Sequence, residues 1–379
     1  ASVGIAMANS SSVTIGTGVE AGRNVIGGNG SRGVQVQGTF SNLTVAGNYI
    51  GTDSTGNTAL SNGYNVSAEV RDAFSMDGGA NGTTIAITDN VIGGYSAALI
   101  EFWGATASGV TIQGNHVGVG ADGSTSIATG SSTEAAVYLG GGTMAWSNFS
   151  IGGTGAGEGN IIAYSGQDGI EVSTTGTGNS IAGNTIYSNG GDGVELLQGA
   201  DISVLQNAIH SNTGIGIDLG TDGVTANDSG DADTGVNDLL NFPVLNGLYG
   251  EGTTSLRYEF TLDAPANTEG YRIEFFKTSV VNGTGYGDAE TYVGALETGA
   301  HAGGSVDYSG TFTTDIAVSP DDIITVTATS KTGASSYGAT SELALNNTMI
   351  APYDYSDIPQ TGTSYGTCLL YTSDAADEL

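Results

Sequence analysis

The sequence predicts an all-β protein, a solenoid of stacked coils followed by an antiparallel β-module, and three observations carry that prediction. Glycine supplies 64 of 379 residues, far above the usual ~7% and without a three-residue period, which implies many tight turns and disfavours helix. One short frame recurs through the first two thirds of the chain. After it, the pattern changes to strands of alternating apolar and polar residues.

The frame shows in "RNVIGGNGSRGVQV", "DNVIGGYSAALIEF", "GNIIAYSGQDGIEV", "GNTIYSNGGDGVEL" and "QNAIHSNTGIGIDL". Its anchors are Asn24, Asn48, Asn90, Asn115, Asn160, Asn184 and Asn207, at spacings of 24, 42, 25, 45, 24 and 23. Comparable insertions, "GTDSTGNTALSNG" and "GVGADGSTSIATG", account for the two long spacings and place two loops on one side of the solenoid. A unit of about 23 residues made of short strands is one coil of a β-solenoid, stable only by stacking on its neighbours. Two residues past each Asn stands Ile26, Ile50, Ile92, Val117, Ile162, Ile186 or Ile209, one inward column. A second strand has inward pairs around one outward residue: Val34/Val36, Ile100/Phe102, Val137/Leu139, Ile170/Val172, Val194/Leu196 and Ile217/Leu219. Corners need positive φ, which Gly and Asn reach cheaply, and a stacked Asn can hydrogen-bond its counterpart one coil away.

These "GNxI…NxxxGV" coils resemble the right-handed parallel β-helix repeat proteins of bacteria, the pectin-lyase-like superfold, over residues 1–245. That resemblance implies fold more than function, because the superfold hosts lyases, hydrolases, epimerases and adhesins. Within it, residues 220–240 read as an acidic capping loop with Asp222, Asp228, Asp231, Asp233 and Asp238. The spacing of Asp228, Asp231 and Asp233 before Gly235, with Asp238 beyond, suits a loop folding carboxylates around Ca²⁺, although no Glu closes it as in an EF-hand.

"RYEFTL", "YRIEFF", "TYVGAL" and "DIITVTATS" then mark a β-sandwich over 253–347 that resembles immunoglobulin-like modules. Residues 348–367 read as a linker and the start of a further module. The tail 368–379, through "CLLYTSDAADE", resembles a translated sequencing adapter, which would make the single cysteine, Cys368, foreign to the protein. The opening "ASVGIAMANS" reads as part of a coil whose first half is missing, so the chain is expected to be a fragment of a larger protein.

Composition narrows the partners. With 39 acidic against 7 basic residues the net charge is -32, which repels nucleic acid and anionic membranes and suits cations. No run of ~18 apolar residues could span a membrane. The near absence of cysteine fits an extracellular or cell-surface bacterial protein, although cytosolic proteins can also lack cysteine.

The outward residues of the second strand are Ala6, Gln35, Ser67, Glu101, Tyr138, Glu171, Glu195 and Asp218. Glu171, Glu195 and Asp218 therefore form one column of carboxylates, about 5 Å apart at the backbone, near the separation used by retaining glycosidases. Like charges so close raise at least one pKa, that of the central Glu195 first, placing an acid beside a base. The other reading of the column is a solvated or cation-binding face. Trp103 and Trp146, with Phe102 and Tyr138, are either a sugar-stacking platform or packing residues. His116, His210 and His301 show no ligand spacing and read as surface or turn residues. Arg23, Arg32 and Arg71 lie in the first coils, away from the column, and polygalacturonase-like motifs ("NTD", "GHG", "RIK") are absent. The expected function is a rigid adhesion or glycan-contact module, the alternative a polysaccharide hydrolase or lyase with Glu195 as acid and Glu171 or Asp218 as base or nucleophile.

Overall fold

The computed structural model describes residues 3–60, 72–77, 81–104, 106–128, 134–140, 146–221, 223–250 and 253–350; Ser67, Arg71, Asp222 and the tail 351–379 lie outside them. Up to Leu219 every strand pairs in parallel with its copy one coil away, and the coils have three faces, with one strand to a face from Phe74 on. One coil, for example, runs through Ile170–Ser173 on face 1, Asn179–Ala182 on face 2 and Thr185–Tyr187 on face 3. In the first two coils, Ile5–Ile15 and Val34–Ala46 run through faces 1 and 2 as single long strands.

The two columns expected from the sequence are faces 3 and 1. Face 2 went unrecognised. Its inward residues, including Leu43/Val45, Ile85/Ile87, Val110/Ile112 and Ile202/Val204, are buried in the same core as the other two columns. A period-two pattern just before each anchor Asn ("LTVAGN", "TIAITDN", "GVTIQGN") marks it. No face can bury its apolar side on one coil alone, so all three depend on stacking at about 4.8 Å per rung.

The anchor asparagines hold the corner between faces 2 and 3. Asn160 Oδ1 accepts both the main-chain N–H (2.9 Å) and Nδ2 (2.9 Å) of Asn115, while Asn160 N–H and Nδ2 donate to Asn184 Oδ1 at 3.0 and 2.8 Å. Its second Nδ2 proton goes to the Ile112 carbonyl on face 2. The pattern runs from Asn24 to Asn207. The asparagines are not the left-handed corner residues, however. At five of the seven anchors that conformation falls on the preceding residue, with Gly47, Asp89, Gly114, Gly183 and Gln206 at φ between 54° and 69°, which frees the Asn side chain for the ladder. A Cβ on Gly183 would sit 2.1 Å from the Gly153 carbonyl, so in that coil the position is closed to other residues, whereas other coils hold Asp89 and Gln206 there. The two insertions meet on one side, where Ala121 N–H donates to the Gly56 carbonyl and Asp122 N–H to Asn57 Oδ1.

The antiparallel part starts earlier than expected, at Val244–Gly250, which pairs with Ser255–Ala264. With Gly304–Thr313 these form one sheet, and Thr291–Glu297, Tyr271–Thr278, Ile323–Gly333, Ser336–Thr340 and Asn347–Thr348 form a second. Both contribute to one apolar cluster around Phe260, Phe275 and Val326. His301, expected at the surface, is buried there: Nδ1 meets the Tyr308 hydroxyl at 2.8 Å and Nε2 the Ala264 carbonyl at 3.1 Å.

This unit closes the last coil, a task the sequence had assigned to the acidic loop alone. On face 2, Val204 N–H donates to Thr340 Oγ1 and Gln206 N–H to Glu274 Oε2. On face 3, Ile209 and Ala289 exchange two main-chain bonds of 2.8 Å. On face 1, Leu219 N–H donates to Glu342 Oε1 (3.0 Å), whose second oxygen receives Thr225 N–H. The loop contributes Asn237, which pairs with both main-chain groups of Ile202. Phe276, Ala289 and Leu343 complete the solenoid's core.

Asn160→Ala leaves the Asn115 donors and the Ile112 carbonyl without partners in a buried corner. It is expected to lower unfolding free energy by about 3 kcal/mol or more, read as a lower denaturant midpoint; an unchanged midpoint contradicts the ladder's role.

Candidate functional site

Face 1 carries the candidate site on its outer side. The register aligns Ala6, Gln35, Ser75, Glu101, Tyr138, Glu171, Glu195 and Asp218 in one column. Ser75 takes the place expected for Ser67, because the strand of that coil is Phe74–Asp77 with Phe74 and Met76 inward.

The column is less open than alternation alone implies. Glu101 and Asp218 are each only 2% exposed and Ser75 is fully buried, whereas Tyr138, Glu171 and Glu195 are half-buried. Glu171, Glu195 and Asp218 are brought together, and two aspartates at the neighbouring corner join them. Carboxylate oxygens of Asp168, Glu171 and Glu195 lie within 4.8 Å of one another, as do those of Asp192, Glu195 and Asp218. Asp168 accepts the Asp192 N–H and Asp192 the Ile215 N–H, so both aspartates also cap the coil corner. Burial, then the charges of Asp168, Glu171, Asp192 and Asp218, pushes Glu195 up to about 8. Burial, then Asp168 and Glu134, pushes Glu171 up to about 7. The raised Glu195 agrees with the sequence expectation, but burial outweighs the like charges as its cause.

Above the carboxylates lies an aromatic pair. Trp103 is 47% exposed and its ring stacks on Tyr138 at 5.8 Å and 27°. The other two candidates for a platform, Phe102 and Trp146, pack edge to face in the core. Tyr187, between Tyr164 and His210, forms a second aromatic row on face 3, and His116 Nδ1 meets the Gly120 carbonyl at 2.7 Å.

Arg32 lies away from Glu171, Glu195 and Asp218 but next to the acids above them. Its Nε lies 3.0 Å from Asp72 Oδ2, and Asp72 shares a cluster with Glu101 and Glu134. Sequence reading missed Asp72, Asp168 and Asp192, which share a frame of acid, small residue, apolar, any, apolar in "DAFSM", "DGIEV" and "DGVEL".

The acidic loop brings together Asp228, Asp231 and Asp233, with oxygens within 4.8 Å of one another. Asp238 is outside that group, in a left-handed turn where Asn237, Asp238 and Leu239 have φ of 49°, 55° and 51°. Asp231 Oδ1 accepts the Asn241 N–H at 2.7 Å, and burial pushes this carboxyl up to about 6. A cleft lined by Ser150, Ser180, Gln206, Arg272, Glu274 and Tyr337 lies at the junction of face 2 with the antiparallel unit. It contains none of the column residues, and its charged pair, Arg272 and Glu274, is self-satisfied at 2.8 Å.

Residues 136–230 match the family model described as a right handed beta helix region. The match spans the face 1 strands with Tyr138, Glu171, Glu195 and Asp218 and fits the parallel three-faced coils, so the solenoid is a right-handed β-helix. No curated protein and no solved structure matches the chain. Among the described residues no helix is long and apolar enough to cross a membrane.

The raised carboxyls of this β-helix set its pH response. Glu101, Glu171, Glu195 and Glu342 bind protons more tightly folded than unfolded. Their stabilising contribution is therefore full below the ordinary value near 4.5 and is lost as pH rises through about 7 to about 9. The thermal midpoint in metal-free buffer is expected to rise on going from about pH 8 to about pH 5; a fall across that window contradicts the assignment.

Proposed function

We propose that the chain is part of a larger secreted or cell-surface bacterial protein and serves as a rigid glycan-contact module, with face 1 as the contact surface. The observation that carries this reading is the exposed Trp103 stacked on Tyr138, in line with Glu171 and Glu195 along the helix axis. A sugar ring packs its apolar C–H face on such a platform, and half-buried carboxyls on the following rungs accept or donate hydrogen bonds to its hydroxyls. From Tyr138 to Asp218 is three rungs, roughly 14 Å, long enough for an extended oligosaccharide. The acidic loop at Asp228, Asp231 and Asp233 is a Ca²⁺ ligand set in this proposal, stabilising the junction.

The second unit is read as immunoglobulin-like. Lettered in chain order from Val244, strands A, B and E make one sheet and D, C, F and G the other, with the short Asn347–Thr348 added beside F. This division supports a sandwich of that class with its fourth strand on the second sheet. A stiff solenoid joined to such a module suits display away from a surface.

A second reading, a retaining polysaccharide hydrolase, is favoured by one observation. Glu195, held protonated near neutral pH, sits on the rung next to Glu171, at a separation close to that of a retaining pair.

Affinity electrophoresis against neutral and acidic polysaccharides, with each mixture also assayed for new reducing ends, tests both. Glycan contact predicts retarded migration in at least one gel and a loss of about tenfold in affinity, ~1.4 kcal/mol, for Trp103→Ala, with no products. Products that disappear in Glu195→Gln establish the hydrolase instead, and a folded wild type that binds nothing overturns the glycan reading.

A further inference from the structure

A second group of acids lies higher on face 1, outside the exposed strip. Asp72, Glu101 and Glu134 come from three successive coils: Asp72 just before Phe74–Asp77, Glu101 within Ile100–Trp103, and Glu134 just before Val137–Gly140. One oxygen of each lies within 4.8 Å of the others. Arg32 is the basic residue ion-paired there, through Asp72 Oδ2 at 3.0 Å. Among the described residues, three carboxylates when all are ionised and one guanidinium leave two negative charges in a site where Asp72 is fully buried and Glu101 is 2% exposed.

The polar atoms around the cluster point to a missing ligand. Glu101 Oε2 and Glu134 Oε2 are buried and have no hydrogen-bond partner among the described residues. Ser75, the neighbour of Glu101 in the register and also fully buried, has an unpartnered Oγ on the same outer side of face 1. Buried oxygens are rarely left this way, and one group of positive charge would answer for all three.

We propose that Asp72, Glu101 and Glu134 bind a divalent cation, Ca²⁺ from the hardness of an all-oxygen ligand set, with Ser75 Oγ beside it. Two positive charges cancel the two excess negative ones, and the ion ties three coils together at the corner leading into face 1. Carboxylate oxygens and a hydroxyl are the ligands Ca²⁺ takes, at higher coordination number than Mg²⁺ tolerates without its water. The competing occupant is a proton on Glu101, whose carboxyl burial and Asp72 push up to about 9 without metal. Metal and proton exclude one another. The cluster uses none of the side chains of the Trp103 platform, although Glu101 is the rung neighbour of Tyr138, nor of the loop at Asp228, and the proposal stands whether or not a glycan binds.

Calorimetric titration of the full chain, stripped with a chelator and then titrated with CaCl2 at neutral pH, tests the assignment. Wild type and Glu20→Gln, which removes the same charge at an exposed position, are expected to bind Ca²⁺ with equal stoichiometry. Glu101→Gln and Glu134→Gln are each expected to bind about one equivalent fewer and to lose part of the Ca²⁺-induced rise in thermal midpoint. Glu134 is only half-buried, so its variant decides the matter if Glu101→Gln does not fold. A wild type that binds no Ca²⁺, or a folded Glu134→Gln with wild-type stoichiometry, overturns the proposal.

Discussion

The paired hydrogen bonds that each anchor asparagine receives from the coil before it and gives to the coil after it are the constraint on which the rest of the structure depends. Asn115, Asn160 and Asn184 bind one another through main chain and side chain at once. A slip of one residue in any coil would break these bonds and leave buried donors unpaired. The ladder therefore fixes one register for all three faces. Because register is fixed at that corner, Tyr138, Glu171, Glu195 and Asp218 fall in line on a face of the coil that the ladder does not touch.

Fixed register has an electrostatic consequence. Residues of one type repeated at one position of the coil are forced to within a rung of each other, and on face 1 those residues are acids. Their repulsion is relieved in three different ways. Arg32 neutralises part of the charge at Asp72; main-chain N–H groups of the next coil occupy oxygens of Asp168 and Asp192; and protonation is favoured at Glu171 and Glu195, where burial raises the carboxyls. The same device closes the solenoid. Glu274 and Glu342, both buried, turn their oxygens to the free N–H groups of Gln206, Leu219 and Thr225, so the last strands present no open edge at those points. The antiparallel unit is thus built into the end of the β-helix rather than hung from it.

Repetition made the first part of the fold legible. The Asn frame and the inward pairs of face 1 state the period, the strands and the column of outward residues without any structure. Face 2 escaped because its strands merge with face 1 in the opening coils and because its apolar pairs stand directly against the anchor Asn, where they read as flank. Counting the frame from Asn48 across a long insertion lands on Ser67 for the column. The frame of "DAFSM", shared with "DGIEV" and "DGVEL", places Ser75 there instead. Burial was the harder quantity. Alternation says that Glu101 points away from the core, but what covers it comes from neighbouring coils, which a local pattern does not encode. His301 is hidden for the same reason, in a pocket completed by Tyr308 and the Ala264 carbonyl from other strands. The capping contacts of Glu342 and Thr340 join residues more than a hundred positions apart in sequence, beyond any motif.

Coil register alone assembles half-buried carboxyls into one strip along face 1. Carbon-detected NMR titration of the chain labelled at Glu carboxyl carbons, with Glu171→Gln and Glu195→Gln to assign the signals, tests it most directly. Midpoints of about 7 for Glu171 and about 8 for Glu195 are expected, with the Glu195 midpoint moving down when Glu171 loses its charge. Two independent titrations near 4.5, the ordinary value for an isolated glutamate, would contradict it.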